Sequence, residues 1–276
     1  LRFELRSIGT TVQYLLKIVF ILLFIFPLLW MISTSLQTLH ETQAFPPTLV
    51  PSVPQWRNFA SVMDNGSFLM YARNSVVVTF SVIALQFLVM IPAAYAFAKY
   101  KFAGKNILFG IVLLAFMIPG QITFIPVYLM LGDWGLINTL LPQILPFMSN
   151  AFGIFLLRQY FMQLPEDLIE AARLDGANEF KIIWRIMAPM AAPALATIAL
   201  FSFVAHWNDY FWPLVMTNSD SVRPLTIWIS TLRSEEGIAN WNIIMAANVV
   251  LVVPILVVYA FCSKQILNAF VYSGIK

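Results

Sequence analysis

Charged side chains are absent from six long stretches of this chain: between Lys17 and Glu41, Arg73 and Lys99, Lys105 and Asp133, Asp133 and Arg158, Arg185 and Asp209, and Glu236 and Lys264. A charge at mid-bilayer costs about 2.5 to 3.5 kcal/mol even on the mildest scale, and about 20 apolar residues cross the hydrocarbon as a helix. Each stretch therefore predicts a crossing, with helices expected near 17–36, 74–98, 106–131, 136–158, 188–212 and 242–264. The fold class implied is all-α, a polytopic membrane protein of six transmembrane helices, with 1–276 forming a single transmembrane domain.

Lys and Arg set the orientation. With the N-terminus inside, Arg2, Arg6, Lys17, Lys99, Lys101, Lys105, Arg158, Arg173, Lys181, Arg185, Lys264 and Lys276 fall on cytoplasmic segments, against Arg57, Arg73, Arg223 and Arg233 outside. This asymmetry obeys the positive-inside rule and places both termini in the cytoplasm. Trp30, Trp56, Trp134, Trp207, Trp212 and Trp241 then gather near the outer boundary as an aromatic belt. The run Ile18 to Ile32, followed by Ser33-Thr34-Ser35, also resembles a signal peptide. Against that reading, bulky Trp30 and Met31 stand where small residues are usual, and cleavage would leave an odd number of spans.

Prolines punctuate nearly every predicted helix: Pro27, Pro92, Pro119, Pro126, Pro142, Pro146, Pro193 and Pro254. Each removes a backbone donor that hydrocarbon cannot replace, so neighbouring helices or a water-filled cavity must compensate. Kinked, packed helices suit a protein that moves solutes better than a simple anchor.

Composition narrows the classes. The 276 residues are 60% hydrophobic and 11% charged, against about 45 to 50% and about 25% in soluble domains. A water-soluble globule, a disordered chain and a coiled coil are excluded. The net charge of +3 reflects Lys and Arg held on the cytoplasmic side; membrane lipid is the expected partner and nucleic acid is not. The single Cys262 excludes an internal disulfide. Gly104-Lys105 lacks the earlier glycine and the following Ser or Thr of a Walker A loop. The chain has no His-Glu-x-x-His or Gly-x-Ser-x-Gly pattern, and its two histidines are His40 and His206. Proton-driven transport uses ionisable groups at mid-membrane, whereas His206 and Asp209 lie near the outer end of the fifth predicted helix. No metal site, cofactor site or catalytic residue is expected.

The long inner segment between Arg158 and Ala188 carries five of the 13 acidic residues. Pro165 suits a first helical position, Glu166 and Asp167 complement the positive end of the helix dipole, and Gly176 suits the position that ends a helix. A short surface helix over 165–176 follows, with Leu168, Ala171, Ala172 and Ile169 read as one apolar side. Such a helix either docks on a partner protein or lies on the bilayer; an acidic helix is a poor ligand for an anionic leaflet, which favours the protein.

Glu170-Ala171-Ala172, three residues, Gly176, nine residues and Ile186-Met187-Ala188-Pro189 resembles the EAA motif of permease subunits in ABC importers, departing at Ala188, where that family has Leu. The resemblance implies a coupling helix seated in a cleft of an ATP-hydrolysing subunit, with Glu170, Ala171, Ala172, Asp175 and Gly176 in that role. Met117-Ile118-Pro119-Gly120-Gln121, Ile125-Pro126-Val127-Tyr128 and Trp207-Asn208-Asp209-Tyr210-Phe211-Trp212-Pro213-Leu214 resemble segments of carbohydrate permeases of the maltose type. They are most similar to the shorter, six-helix member of the permease pair. The end of the chain, Phe270 to Lys276, is similar to that subunit's tail, which implies ATPase contact at Ser273, Gly274, Ile275 and Lys276. The outer loop implies contact with a binding protein at Ser234, Glu235, Glu236, Gly237, Ile238 and Ala239.

By this resemblance the chain is a non-catalytic subunit in a bacterial or archaeal cytoplasmic membrane. Its implied partners are a homologous second permease, two ATPase subunits that hold ATP and Mg, and an extracytoplasmic sugar-binding protein. Gln86, Gln121, Asn150, Asn208 and Asn248 are candidates to line a sugar pathway, the alternative being hydrogen bonds between helices. The competing functions are an ABC permease for glycerophosphate or a polyol, a channel or secondary transporter outside the ABC class, and a membrane enzyme.

Overall fold

The computed structural model describes residues 2–64, 66–232 and 239–271, with side chains over 13–64, 66–232 and 239–264. Its helices are α1 (Arg2–Ser35), α2 (Leu39–Gln43), α3 (Arg57–Met63), α4 (Phe68–Lys99), α5 (Lys105–Met117), α6 (Gly120–Asp133) and α7 (Ala151–Gln163). They continue as α8 (Asp167–Leu174), α9 (Glu179–Lys181), α10 (Ala188–Met190), α11 (Ala192–Trp207), α12 (Phe211–Met216), α13 (Leu225–Thr231) and α14 (Trp241–Val271). A π-helical segment, Ile182–Met187, joins α9 to α10, and no β-strand element occurs among the described residues.

The chain is an all-helical, multi-pass membrane protein. Gln13–Ser35, Phe68–Lys99 and Trp241–Lys264 are each long and apolar enough to cross alone. Two bent pairs raise the number of crossings among the described residues to as many as five, counting each pair as one span. From Tyr14 to Phe26 the side chains of α1 are exposed all round, Leu23 at 63% and Phe24 at 76%. Water would not tolerate so large an apolar surface, whereas lipid or a second membrane subunit covers it.

Three predicted helices are not continuous. The expected helix 106–131 breaks into α5 and α6, which bend by 97°. Ile118 takes an extended conformation (φ −81°, ψ 117°) because Pro119 follows it. The expected helix 188–212 starts earlier, at Glu179, and bends by 80° where α10 meets α11, at Ala191. The expected helix 136–158 is replaced by two 3-10 turns, each opened by a proline (Pro142 and Pro146), and then by α7. Asn150 caps α7 by accepting the Gly153 N–H at 3.1 Å. The 13 residues of α7 rise only about 20 Å, short of a hydrocarbon core about 30 Å thick. By contrast Pro27, Pro92, Pro126 and Pro254 sit inside continuous helices.

The expected aromatic belt also needs correction. Trp207 is buried and stacks on Phe203 with ring centroids 5.2 Å apart, and Trp212 donates its indole N–H to the Pro142 carbonyl at 2.7 Å. Both are packing residues. Trp56 and Trp134 remain well exposed, as a belt requires.

The chain divides into two compact units. The first comprises 1–69 and 228–253. Within it the buried Asn58 amide donates to the carbonyls of Ser35 (2.8 Å) and Gln37 (2.9 Å), and its Oδ1 accepts from Asn242 at 3.1 Å. One amide thus ties the end of α1 to the start of α14. The second unit comprises 70–227 and 254–276. Its main core takes Met90, Ile91, Ala94 and Tyr95 from α4, Ile154, Leu157 and Phe161 from α7, and Ala194 and Ile198 from α11. Ile169 and Ala172 of α8 belong to the same core.

Candidate functional site

The sequence pattern that predicts a short helix after Pro165 holds. Glu166 stands at the N-cap of α8, its carbonyl accepting the N–H groups of Ile169 (2.8 Å) and Glu170 (3.1 Å). The helix is eight residues long, shorter than the expected 165–176. It stops because Gly176 takes a left-handed φ of +76°, a conformation that costs other L-residues about 1 to 2 kcal/mol. The Ala177 N–H then returns to the Ala172 carbonyl at 2.9 Å, and Gly176 to Arg173 at 3.0 Å, closing the end as such caps do.

The faces of α8 differ from expectation. Ala172 and Ala171 were expected to share one apolar docking side with Leu168 and Ile169, but Ile169 (4% exposed) and Ala172 (8%) are turned into the chain's own core. The outward face carries Leu168, Ala171 and Asp175, at i, i+3 and i+7, flanked by Glu170 and by Leu174 at 89% exposure. The motif's second alanine therefore seats the helix, and the first belongs to the free face.

Around this seat, cations cap helix ends. Lys99 Nζ donates to the Leu164 carbonyl beyond α7 at 2.7 Å. Lys105 Nζ donates to Tyr100 (2.9 Å) and Ala98 (3.3 Å) at the end of α4. Arg158 donates Nε to the Phe97 carbonyl at 3.1 Å while its guanidinium lies 4.1 Å from the Phe109 ring centre. Cations at helix C-termini complement the dipole, so part of the Lys and Arg clustering in these segments is structural. Glu179, the first residue of α9, accepts from Arg173 at 2.7 Å and from the hydroxyls of Tyr95 (3.0 Å) and Tyr100 (2.8 Å). Beside this cluster a cleft of about 280 Å³ is lined by Lys99, Tyr100, Lys101, Glu166, Ile169, Glu170 and Arg173. Sequence reasoning missed Arg173, Glu179 and the two tyrosines. The opposite charges flanking Gly176 were a visible signal, whereas Tyr95 lies 84 residues from Glu179.

Each of the five candidate pathway amides has its own local setting. Gln86 is buried, donates to the Phe147 carbonyl at 3.0 Å and accepts the Ser202 hydroxyl; it is an interhelical bond-maker. Asn150 is spent on its cap. Asn208 and Asn248 each donate to the carbonyl four residues back, at 3.0 Å and 2.8 Å. Gln121 is exposed in the first turn of α6. Ser234, Glu235, Glu236, Gly237 and Ile238, and Ser273, Gly274, Ile275 and Lys276, lie outside the described residues; Ala239 is described and half-buried. Two buried amides that sequence reasoning missed hold the turn before α13: Asn74 donates to the carbonyls of Ser221 (2.8 Å) and Arg223 (3.0 Å), and Gln143 to that of Val222 (2.9 Å).

Comparison with known proteins gives these features a context. Residues 90–268 match the family described as binding-protein-dependent transport system inner membrane component. The arabinooligosaccharides transport system permease protein AraQ of Halalkalibacterium halodurans is 32% identical over 255 residues, 91% of each chain. The sn-glycerol-3-phosphate transport system permease protein UgpE of Yersinia pestis bv. Antiqua is 30% identical over 269 residues, 94% of this chain and 95% of that one. A chain from the crystal structure of a bacterial ABC transporter involved in the import of the acidic polysaccharide alginate superposes with a TM-score of 0.85 at 26% identity, covering 94% of this chain and 97% of that chain.

Proposed function

The chain belongs to the family of binding-protein-dependent transport system inner membrane components and is a permease subunit of an ABC importer; from that premise we propose that it forms half of a pathway for a sugar or oligosaccharide. A homologous second permease supplies the other half. The chain itself catalyses nothing and holds no cofactor; two partner ATPase subunits bind ATP and Mg. In this reading the chain crosses the cytoplasmic membrane of a bacterium or archaeon six times, the bent pairs and the stretch 134–163 completing the set, and both termini lie on the cytoplasmic side. An extracytoplasmic binding protein delivers the sugar at the outer loop around Ser234 to Ala239, and the tail Ser273 to Lys276 reaches the ATPases.

The observation that carries this reading is α8. Its inner face is fixed in the core shared by α4, α7 and α11, and its outer face is left open to a partner. Closure of the ATPases on ATP displaces α8, and the shared core passes that displacement to the membrane helices. A partner moves an equilibrium only through contacts that differ between its two states, and Glu170, Ala171, Asp175 and Gly176 make those contacts. In the reconstituted complex, Gly176→Asp or Glu170→Lys should leave basal ATP hydrolysis in place and abolish its stimulation by loaded binding protein. Full stimulation and uptake with both variants would overturn the assignment.

The likeness to a sn-glycerol-3-phosphate permease supports a second reading, in which the solute is a phosphate ester. The six charge-free stretches offer such an anion no cationic partner from this chain, which favours the neutral sugar. A thermal-shift panel on the cognate binding protein, with arabino-oligosaccharides against glycerol 3-phosphate, separates the two by which ligand raises its melting temperature.

A further inference from the structure

Glu179 links α8 to α4 through opposite oxygens of one carboxylate. Oε1 accepts Arg173 Nε at 3.1 Å and Arg173 Nη2 at 2.7 Å, from the last turn of α8. Oε2 accepts the hydroxyl of Tyr95, inside α4, at 3.0 Å and that of Tyr100, just beyond α4, at 2.8 Å. The Arg173 and Glu179 side chains are 50% and 42% exposed, and an ion pair so exposed adds little to stability. Ile169 and Ala172 already hold α8 against the core, but two apolar side chains on a short helix are a non-directional hold, and a directional bond beside them adds resistance to a shift along that seat. The hydrogen bonds at Glu179 do have direction: two guanidinium N–H groups converge on Oε1 and two tyrosine hydroxyls on Oε2, so both carboxylate oxygens are held between the two helices. Tyr95 and Tyr100 pack edge to face with ring centres 5.4 Å apart, and Tyr95 is fully buried, so the other end of the link is rigid.

We infer that Glu179 is a positioning residue for ATP-driven transport, clamping the end of α8 to the cytoplasmic end of α4 so that a push on α8 turns α4 instead of sliding α8 over its apolar seat. The inference rests on the proposed function, because the push comes from an ATP-hydrolysing partner.

The test places spin labels at Leu88→Cys on α4 and Asp167→Cys on α8, both exposed in this chain and neither among the contact residues named above, in a Cys262→Ala background of the complete complex. Distances are read without nucleotide and with ATP and vanadate. With Glu179 present the distribution is the same in both states. With Glu179→Ala it moves between states by about 2 Å, the scale of helix sliding at an interface. Arg173→Met, which alters an exposed side chain, gives the same state-dependent shift and decides the matter should Glu179→Ala fail to assemble. A distribution identical in the two states, whether sharp or evenly broadened, overturns the clamp and leaves Glu179 a structural residue. Failure of the unaltered chain to co-purify with any ATP-hydrolysing subunit shows itself before a variant is made, and overturns the proposed function together with the clamp.

Discussion

Both carboxylate oxygens of Glu41 are engaged, Oε1 by the N–H (2.9 Å) and hydroxyl of Ser52, Oε2 by the N–H (2.8 Å) and hydroxyl (3.0 Å) of Thr38. These bonds, the Ser52 hydroxyl foremost, hold the carboxyl down from an ordinary 4.5 to about 2. A depressed pKa in the folded state contributes stability above the unfolded value, and that contribution is lost as pH falls from there towards 2. Amide protection over Thr38 to Ser52, taken relative to the intrinsic exchange rate at each pH, should stay flat from neutral pH down to about 4.5 and fall below it; Glu41→Gln should remove the dependence. At Gly153 a Cβ would collide with the Met90 sulfur. Gly153→Ala recovers up to about 1 kcal/mol of helix propensity while Met90 gives way, whereas Gly153→Leu overpacks the core at a cost of about 1 to 3 kcal/mol. Thermal unfolding of the detergent-solubilised complex should show the leucine variant clearly lowered and the alanine variant near the parent. Neither position was legible in the sequence, and nor were Asn58, Asn74 and Gln143. The Asn74 amide meets a carbonyl 149 residues away, and no local pattern announces such a partner.

Among elements, α8 was the most legible and its faces the least. Pro165, the acidic first turn and Gly176 each act locally, so the ends of the helix could be read from neighbours. Which apolar residue turns inward depends on a core built by α4, α7 and α11, and Ala171 and Ala172 are chemically identical. The same logic governs the prolines: all interrupt a backbone bond, but only Pro119, Pro142, Pro146 and Pro193 coincide with breaks or 3-10 turns, while the other four are absorbed inside helices. The cap at Gly176 carries its own prediction. Nothing of this chain lies within 4 Å of a Cβ there, so within the fold a substitution acts through backbone strain alone, and at the partner surface through any charge it adds. Gly176→Asn, which tolerates a left-handed φ, should keep most of the stimulated ATPase, and Gly176→Val should lose it, at a strain of about 1 to 2 kcal/mol.

At the scale of the molecule, the hydropathy pattern located the long apolar segments because a charge in hydrocarbon is so costly, and among the described residues three of those segments are unbroken helices long enough to cross. It did not reveal that the rest are bent pairs or short pieces, since breaks concern backbone hydrogen bonds rather than transfer energy. The Lys and Arg bias, which the sequence offers as a sign of orientation, serves helix capping in the structure: Lys99, Lys105 and Arg158 meet carbonyls at helix ends. A membrane-impermeant thiol reagent applied to intact cells should label Val50→Cys, 77% exposed in the loop after α2, and should spare Leu174→Cys. The central claim is that the outer face of α8 is gripped by an ATP-hydrolysing subunit. A photo-crosslinking amino acid placed in turn at Leu168, Ala171 and Leu174, with buried Ile169 as the control, tests it in the native membrane. Adducts to an ATP-hydrolysing protein from the three outward positions, and none from Ile169, are the predicted result; adducts from none of the four, or only to proteins outside the cell, would contradict it.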